Sequence, residues 1–231
     1  MAQSNIDSSA YFDGPAAVSN YAERTRRLVP GWSDLQRMTA LLVAERAPEQ
    51  ANVLVVGAGG GAELTTFTRM YSQWRCVGVD PSASMLALAE TALGPLNERV
   101  QLHHGYVDTA PAGPFDAATC LLTMHFIAAE ERRQTLQQIR SRLKPRAPFV
   151  MAHLSFPQTP EAKKLWLSRY VAFAISSGVE PDNARNAASA MESNLPLLSP
   201  LDEEALLEEA GFTDTQLFYA GFTFRGWVTY A

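Results

Sequence analysis

The clearest indication of the fold lies in the stretch Asn52-Val53-Leu54-Val55-Val56-Gly57-Ala58-Gly59-Gly60-Gly61-Ala62. Its first half is a short, continuously apolar run, typical of a parallel strand whose two faces are covered by helices. Its second half is rich in glycine, which lets the backbone turn sharply and lets a ligand approach without a Cβ in the way. Because ligands of open α/β sheets bind outside the carboxyl ends of the strands, this stretch predicts a ligand site at the glycines.

Strands and helices alternate on the C-terminal side of the glycines. Further strands are predicted at residues 75–79, 100–103, 116–122 and 148–154, and helices at 62–71, 81–93 and 128–143. This alternation is typical of a doubly wound α/β fold. We therefore predict a Rossmann-like, mostly parallel sheet of seven strands, and we expect residues 1–231 to form a single domain.

Helical sequence precedes this alternating region. Residues 1–48 are predicted to form N-terminal helices, in which Pro30-Gly31 is a break. Ser33 with Gln36 three residues later predicts a capping box at the start of the second of these helices.

The pattern changes after the fifth strand. Residues 160–197 are helical in character and contain no strand, so we predict a helical cap there. A last helix begins at Ser199-Pro200, and an antiparallel hairpin follows with its turn at Ala220-Gly221. Trp166, Tyr170, Phe173 and Met191 in the cap are spaced to cover an apolar surface, either the core of the cap itself or an acceptor pocket beneath it.

Composition and charge argue against several classes of protein, although binding to a nucleic acid such as tRNA is not excluded. The net charge is -5, so the chain lacks the basic footprint that nucleic-acid binding favours. No run approaches the roughly eighteen apolar residues of a membrane span, and the first residues lack the features of a secretory signal. Cys76 and Cys120 lie in apolar stretches and are interpreted as buried thiols rather than a disulfide. These observations predict a cytoplasmic protein, and no metal site is predicted.

Asp80 ends the second predicted strand, about twenty residues after the glycines. A carboxylate there can accept hydrogen bonds from both hydroxyls of a ribose. Gly57, Gly59 and Ala62 also satisfy the dinucleotide pattern G-x-G-x-x-G/A, so the loop alone does not separate NAD from S-adenosylmethionine (SAM). The long helical segment before the first strand, the terminal hairpin and the lack of a Tyr-x-x-x-Lys pair favour SAM.

From Asn52 to Phe156 the sequence resembles the class I SAM-dependent methyltransferases. Val53 to Gly61 is similar to their motif I, Gly105 to Asp108 to their adenine-contacting segment, and Cys120 to Phe126 to their motif IV. The resemblance implies methyl transfer from SAM to a small-molecule acceptor. The residues expected to bind SAM are Gly57, Ala58, Gly59, Gly61, Asp80, Pro81, Met85, Tyr106, Val107, Leu121 and Trp32.

A finer resemblance, to the bacterial carboxy-SAM synthases of the tRNA uridine-modifying branch, covers residues 27–33 and the chain from Asn194 onward. This chain has Trp32 where those enzymes have tyrosine, Ser189 where they have a carboxylate-binding arginine, and Leu121 where they have an asparagine. The departures favour unmodified SAM. A carboxy-SAM synthase-like or tRNA-modifying enzyme, a non-catalytic SAM-binding protein and an NAD(P)-dependent oxidoreductase stay open as alternatives, as does a homodimer.

Methyl transfer from a sulfonium depends chiefly on alignment, so an obvious catalytic pair is not expected. His125, just after the fourth strand, is a candidate base or acceptor-orienting group, with a purely structural histidine as the alternative. His153, at the end of the fifth strand, is a second candidate. Tyr21 could close the site, and Trp32 could cover the methionine end of SAM or serve as a core aromatic.

Overall fold

A mixed sheet forms the centre of the protein. The computed structural model describes residues 21–231, and in this range the sheet has seven strands in the order β3-β2-β1-β4-β5-β7-β6. They are β1 Asn52–Val56, β2 Arg75–Asp80, β3 Val100–His104, β4 Ala117–Leu121, β5 Pro148–Leu154, β6 Thr213–Gly221 and β7 Phe224–Tyr230. Strand β7 runs antiparallel to β5 and β6, and the other pairs are parallel. The predicted fold class is confirmed.

The helices are α1 Tyr21–Leu28, α2 Trp32–Ala44, α3 Ala62–Met70, α4 Ala83–Leu93, α5 Ala129–Ser141, α6 Pro160–Ser176, α7 Pro181–Asn194 and α8 Pro200–Glu209, with 3₁₀ turns at Gly94–Arg99 and Met124–Phe126. The part of the predicted 1–48 helical region before Tyr21 lies outside the described residues. None of the helices within 21–231 combines the length and the apolarity that crossing a membrane requires.

Helices cover both faces of the sheet, as the apolar first strand predicted. Leu54 and Val56 of β1 pack in a core cluster with residues of α5 and α8. Val53 and Val55 point to the opposite face and pack with residues of α2 and α3. Alternate side chains of a strand face opposite sides, so a strand buried on both sides has to be apolar throughout.

The predicted capping box at Ser33 is wrong. Helix α2 begins at Trp32, and its N-cap is Gly31, two residues before Ser33, in the left-handed conformation (φ 63°). The Leu35 N–H donates to the Gly31 carbonyl at 2.8 Å. Glycine adopts this conformation without strain, so the backbone of Gly31 rather than a serine hydroxyl begins the helix.

The predicted position of the terminal turn is also wrong. Gly221 still pairs with Phe224, so the turn lies at Phe222-Thr223. Phe222 has a φ of 50°, which a sequence pattern based on glycine does not anticipate. The Thr223 carbonyl accepts a 2.9 Å hydrogen bond from the Ser155 N–H, so a contact with the chain after β5 holds this turn.

Helices α6 and α7 lie within residues 160–197, the segment predicted to be a cap. They pack on each other, and both contain buried small side chains, namely Ala174, Ala184 and Ala188. Helix α1 contacts α6, which brings the N-terminal helix and the cap together above the carboxyl ends of the strands. The cap ends before Ser199, which forms a capping box with Asp202 at the start of α8.

Candidate functional site

The glycine loop, Gly57–Gly61, folds against the end of β2. The N–H groups of Gly57 and Ala58 donate to the Val79 carbonyl at 2.8 and 2.9 Å. Gly57, Gly59 and Gly61 all have positive φ angles, of 73°, 47° and 79°. A Cβ on Gly57 would lie 2.0 Å from Thr123 Oγ1, so only glycine permits the loop to approach the segment after β4 this closely.

The Asp80 carboxylate holds the glycine loop from the other side. Its Oδ2 accepts a hydrogen bond from the Gly59 N–H at 2.8 Å, and its Oδ1 accepts one from the Ser82 N–H at 2.9 Å. The side chain is largely buried but lines a cavity at the loop. Because a carboxylate can accept about four hydrogen bonds, Asp80 can order the loop and also receive the hydroxyls of a ribose.

Most of the residues predicted to bind SAM line this first cavity. Those that line it are Gly57, Gly59, Asp80, Pro81, Met85, Tyr106 and Val107. Ala58, Gly61, Leu121 and Trp32 do not line it. A Cβ on Gly59 would stand 3.4 Å from Met85 Cε, among the side chains of the wall, so the loop forms a cradle that a larger residue would fill. The residues therefore fit a nucleoside-containing cofactor.

Leu121 and Trp32 belong to the core instead. Leu121 is the last residue of β4, and its side chain packs in a cluster that also contains Trp32 and Leu35. The Arg26 guanidinium lies 5.1 Å from the centre of the Trp32 ring. The structure thus favours the core-aromatic interpretation of Trp32 over a cofactor contact.

The segment after β4, most of which was identified as similar to motif IV, supplies wall residues that were not among those expected to bind SAM. Leu122, Thr123, Phe126 and Ile127 all line the first cavity. Leu122 has a φ of 59°, and its N–H donates to the Ala152 carbonyl at 2.6 Å. This unusual backbone at an aliphatic residue depends on the neighbouring strand β5, so no local signal identifies it.

A second cavity of about 260 Å³ adjoins the first. Tyr21, Leu122 and Phe126 line both. The rest of its wall comes from α1, the 3₁₀ turn after β4, the end of β5, the cap and β7: Arg24, Thr25, Leu28, Val29, His125, Leu154, Tyr170, Ala187, Ala190, Met191, Asn194, Leu195 and Phe224. Tyr170 and Met191, two of the four cap residues predicted to cover an apolar surface, therefore face a pocket, whereas Trp166 and Phe173 do not line it.

Tyr21 lies over the glycine loop at the boundary of the two cavities. Its hydroxyl would be 3.8 Å from a Cβ on Gly59, and its ring 3.4 Å from a Cβ on Gly60. Burial, with a further contribution from the Asp80 charge, raises the pKa of Tyr21 to about 12. The phenol therefore stays protonated at neutral pH, which suits closing the site or donating a hydrogen bond rather than removing a proton.

His125 is buried in the wall of the second cavity. The Leu154 N–H points to its Nδ1 at 3.5 Å, which assigns the proton of the neutral ring to Nε2. Burial, reinforced by the Arg132 charge, lowers the pKa of His125 to about 3. The imidazole is consequently neutral over the working pH range and a weak base.

His153 lies away from both cavities. It is fully buried, with Nε2 3.5 Å from Glu203 Oε2, and burial lowers its pKa well below the usual value. Glu203 in turn pairs with the buried Arg132. This position does not fit the predicted catalytic role, because no atom of His153 lines either cavity.

A methyltransferase-domain family model matches residues 53–146, which include the glycine loop, Asp80 and the turn after β4. Among curated proteins, the chain is similar to carboxy-S-adenosyl-L-methionine synthases. That of Chromohalobacter salexigens is 26% identical over 92% of this chain and 80% of its own length. That of Campylobacter jejuni is 23% identical over 93% of this chain and 92% of its own length.

Solved structures share the fold. Magnesium protoporphyrin IX methyltransferase from Synechocystis, with bound SAH, superimposes with a TM-score of 0.68 at 12% identity, covering 96% of this chain and 97% of that one. Human N-acetylserotonin methyltransferase, in complex with SAM, gives a TM-score of 0.58 at 16% identity, with 91% of this chain and 57% of that one covered.

Proposed function

We propose that this chain is a class I SAM-dependent methyltransferase and that it transfers a methyl group from SAM to a small, mainly apolar acceptor molecule. One observation carries the proposal: the cavity at the glycine loop and the second cavity share the wall formed by Tyr21, Leu122 and Phe126. A cofactor in the first cavity and an acceptor in the second would meet at these three residues.

SAM is the cofactor, and its sulfonium supplies an electrophilic methyl group when it is bound. On this proposal Asp80 accepts hydrogen bonds from the ribose, the backbone of Gly57 and Gly59 approaches the methionine part, and Tyr106 and Val107 contact the adenine. Asp80 also holds Gly59 through a 2.8 Å hydrogen bond. The loop is thus ordered by the same side chain that would bind the cofactor, and binding needs little rearrangement of the backbone.

The second cavity would accelerate methyl transfer chiefly by aligning the acceptor with the methyl group of SAM. Leu122 and Phe126 are apolar and would exclude water from the junction. His125, with its proton on Nε2, would orient a polar atom of the acceptor by donating a hydrogen bond. We do not assign it the role of a strong base, because burial lowers its pKa to about 3.

A substitution in the second cavity alone tests the proposal. Ala187 lines that cavity and not the first, so Ala187→Phe should fill acceptor space while SAM still binds. Ala172→Phe, on the exposed side of α6, is the matched control. Formation of SAH would be measured with a panel of small phenols, amines and thiols, and SAM binding by calorimetry.

Two results would contradict the proposal. If no acceptor in a broad panel supported SAH formation although SAM bound, the chain would be a SAM-binding protein. If Ala187→Phe left turnover of an identified acceptor unchanged, the second cavity would not be the acceptor site.

Formation of a carboxylated SAM is the second candidate function, because the curated relatives that bear this name match about nine tenths of the chain. Arg185 lies one helical turn from Ser189. It pairs with Asp182 at 2.7 Å and lines neither cavity, so it is not positioned to replace the carboxylate-binding arginine of those enzymes. Ser189 does not line either cavity. Mass spectrometry of the small molecule that co-purifies separates the two candidates, because carboxy-SAM is heavier than SAM by one CO₂.

A further inference from the structure

We infer that the acceptor carries a carboxylate, which Tyr170 and Arg24 bind on the side of the second cavity formed by the cap. This inference rests on the proposed function, because it treats the second cavity as the acceptor site. It specifies the substrate class as a small apolar acid. It also identifies two specificity-determining residues, Arg24 of α1 and Tyr170 of α6.

The first observation is the hydroxyl of Tyr170. The side chain is 1% exposed and lines the second cavity. Its oxygen is buried, and it has no hydrogen-bond partner among the described residues. A buried hydroxyl without a partner is costly, and native structures nearly always satisfy such a group. A ligand oxygen in the cavity would satisfy it.

The second observation is the charge of Arg24. Among the described residues that line the second cavity, Arg24 alone carries a formal charge at neutral pH. The two other arginines of α1 have partners: Arg26 lies over the Trp32 ring, and Arg27 pairs with Glu23 at 3.0 Å. Arg24 makes no ion pair or hydrogen bond with a described residue, and it is exposed, so it lies where the cavity opens.

The two groups line the same cavity, so one ligand there can meet both. Burial raises the pKa of Tyr170 to about 12, and the Arg24 charge opposes that rise. Both groups donate hydrogen bonds, and neither Asp nor Glu lines the cavity within residues 21–231. A guanidinium beside a hydroxyl donor matches an anionic oxygen pair, and a planar carboxylate suits the guanidinium geometry.

The remaining wall determines the body of the acid. Leu28, Val29, Met191, Leu195 and Phe224 are apolar and line the same cavity as Tyr170. The volume of about 260 Å³ lies just below the usual range of roughly 300–1,000 Å³ for ligand pockets, so the acid is small. The carboxylate at Arg24 would direct the opposite end of the molecule toward Leu122 and Phe126, where the methyl group is expected.

Two ligands of matched shape, one anionic and one neutral, make the inference testable. Binding of 3-phenylpropanoate and of its amide, 3-phenylpropanamide, would be measured by calorimetry on protein saturated with SAH. We expect the acid to bind about tenfold or more tightly than the amide. Arg24→Gln should abolish this preference and Tyr170→Phe should reduce it, whereas Arg27→Gln, on the same helix, should leave it unchanged.

Equal binding of acid and amide, or a preference that Arg24→Gln leaves intact, would overturn the inference. SAH affinity measured in the same variants separates this failure from failure of the proposed function, since neither Arg24 nor Tyr170 lines the first cavity. A carboxylate could also belong to a carboxylated SAM. If Arg24→Gln weakened binding of carboxy-SAM and wild-type protein did not bind 3-phenylpropanoate, the carboxylate would be part of the cofactor and the acceptor assignment would be wrong.

Discussion

Arg132 and Glu203 form an ion pair that is buried in the interior, with 1% and 0% of the two side chains exposed. The guanidinium also donates to the carbonyls of Ile127 and Pro196, at 2.9 and 3.0 Å. Ile127 lies in the wall of the first cavity, and Pro196 lies between α7 and α8. One side chain therefore connects the turn after β4 with the end of the cap.

Removal of one member of this pair should be strongly destabilising. Arg132→Met leaves the Glu203 charge buried without its partner, so we expect the free energy of unfolding to fall by about 3–5 kcal/mol. Arg27→Met removes the exposed pair with Glu23 and should change it by less than about 1 kcal/mol. Denaturant unfolding measures both. The double variant Arg132→Met/Glu203→Leu should recover part of the loss, and no recovery would show that the backbone contacts of Arg132 dominate.

Asp80→Ala should weaken SAM binding. The variant loses a charged acceptor for the ribose and also the 2.8 Å hydrogen bond that orders Gly59. The expected loss is about 1.5–3 kcal/mol, the usual magnitude for hydrogen bonds to a charged group. Calorimetry on the folded variant measures it, with Asp182→Ala on the exposed cap surface as the control. Unchanged affinity would remove Asp80 from the cofactor site.

Gly59→Val should abolish SAM binding while most of the fold remains. The substitution places a branched side chain in the cradle and forces it into a backbone with φ of 47°. Gly94→Val is a control for strain at a positive φ, since Gly94 has a φ of 52° and nothing within 4 Å of its Cβ position. Circular dichroism and SAM binding of both variants separate backbone strain from obstruction of the site. If Gly59→Val bound SAM normally, the glycine loop would not be the cofactor site.

Stability should depend on pH through Glu63. Burial raises the pKa of Glu63 to about 8 in the folded state, although the hydrogen bond from Thr119 lowers that pKa in part. The folded protein then binds a proton that the unfolded chain releases above the ordinary glutamate pKa of 4.5. This contribution to stability is complete below pH 4.5 and is lost as the pH rises toward 8.

Glu63→Gln should remove that dependence. The wild-type free energy of unfolding should fall by about 1.4 kcal/mol per pH unit from this group across the window, and the variant should lack this slope. Glu208→Gln, at an exposed position of α8, should retain the wild-type slope. Urea unfolding at about pH 5, 6, 7 and 8 compares the three proteins. Parallel pH dependences for wild type and Glu63→Gln would refute the assignment.

His125 should not produce a pH dependence of catalysis near neutrality. Because burial lowers its pKa to about 3, the imidazole stays neutral throughout the neutral range. We expect His125→Gln to lower kcat by a modest factor, about tenfold or less, through lost orientation of the acceptor, without a change in the shape of the pH–rate profile. If the variant lost an inflection at about pH 6–7 that the wild type showed, His125 would be a general base.

The strand and loop around the glycines were predictable because the information there is local. Residues 52–62 and Asp80 are constrained by burial on both faces of a strand, by positive φ angles and by the end of the neighbouring strand. The error at the terminal turn has a distant cause, whereas the wrong capping box at Ser33 has a local one, the left-handed Gly31. The terminal turn lies at Phe222-Thr223 because the Ser155 N–H binds the Thr223 carbonyl, and nothing near residue 222 in the sequence shows that bond.

The parallel strands, the glycine loop and Asp80 follow from local sequence, because periodicity and backbone sterics act over a few residues. The surroundings of that site depend instead on how distant segments pack. Tyr21, Arg24, His125 and Tyr170 come from α1, the turn after β4 and α6, and they line one cavity because these elements lie against one another. A histidine or arginine in a sequence carries no sign of whether its side chain faces a cavity or the core, since long-range packing determines that orientation.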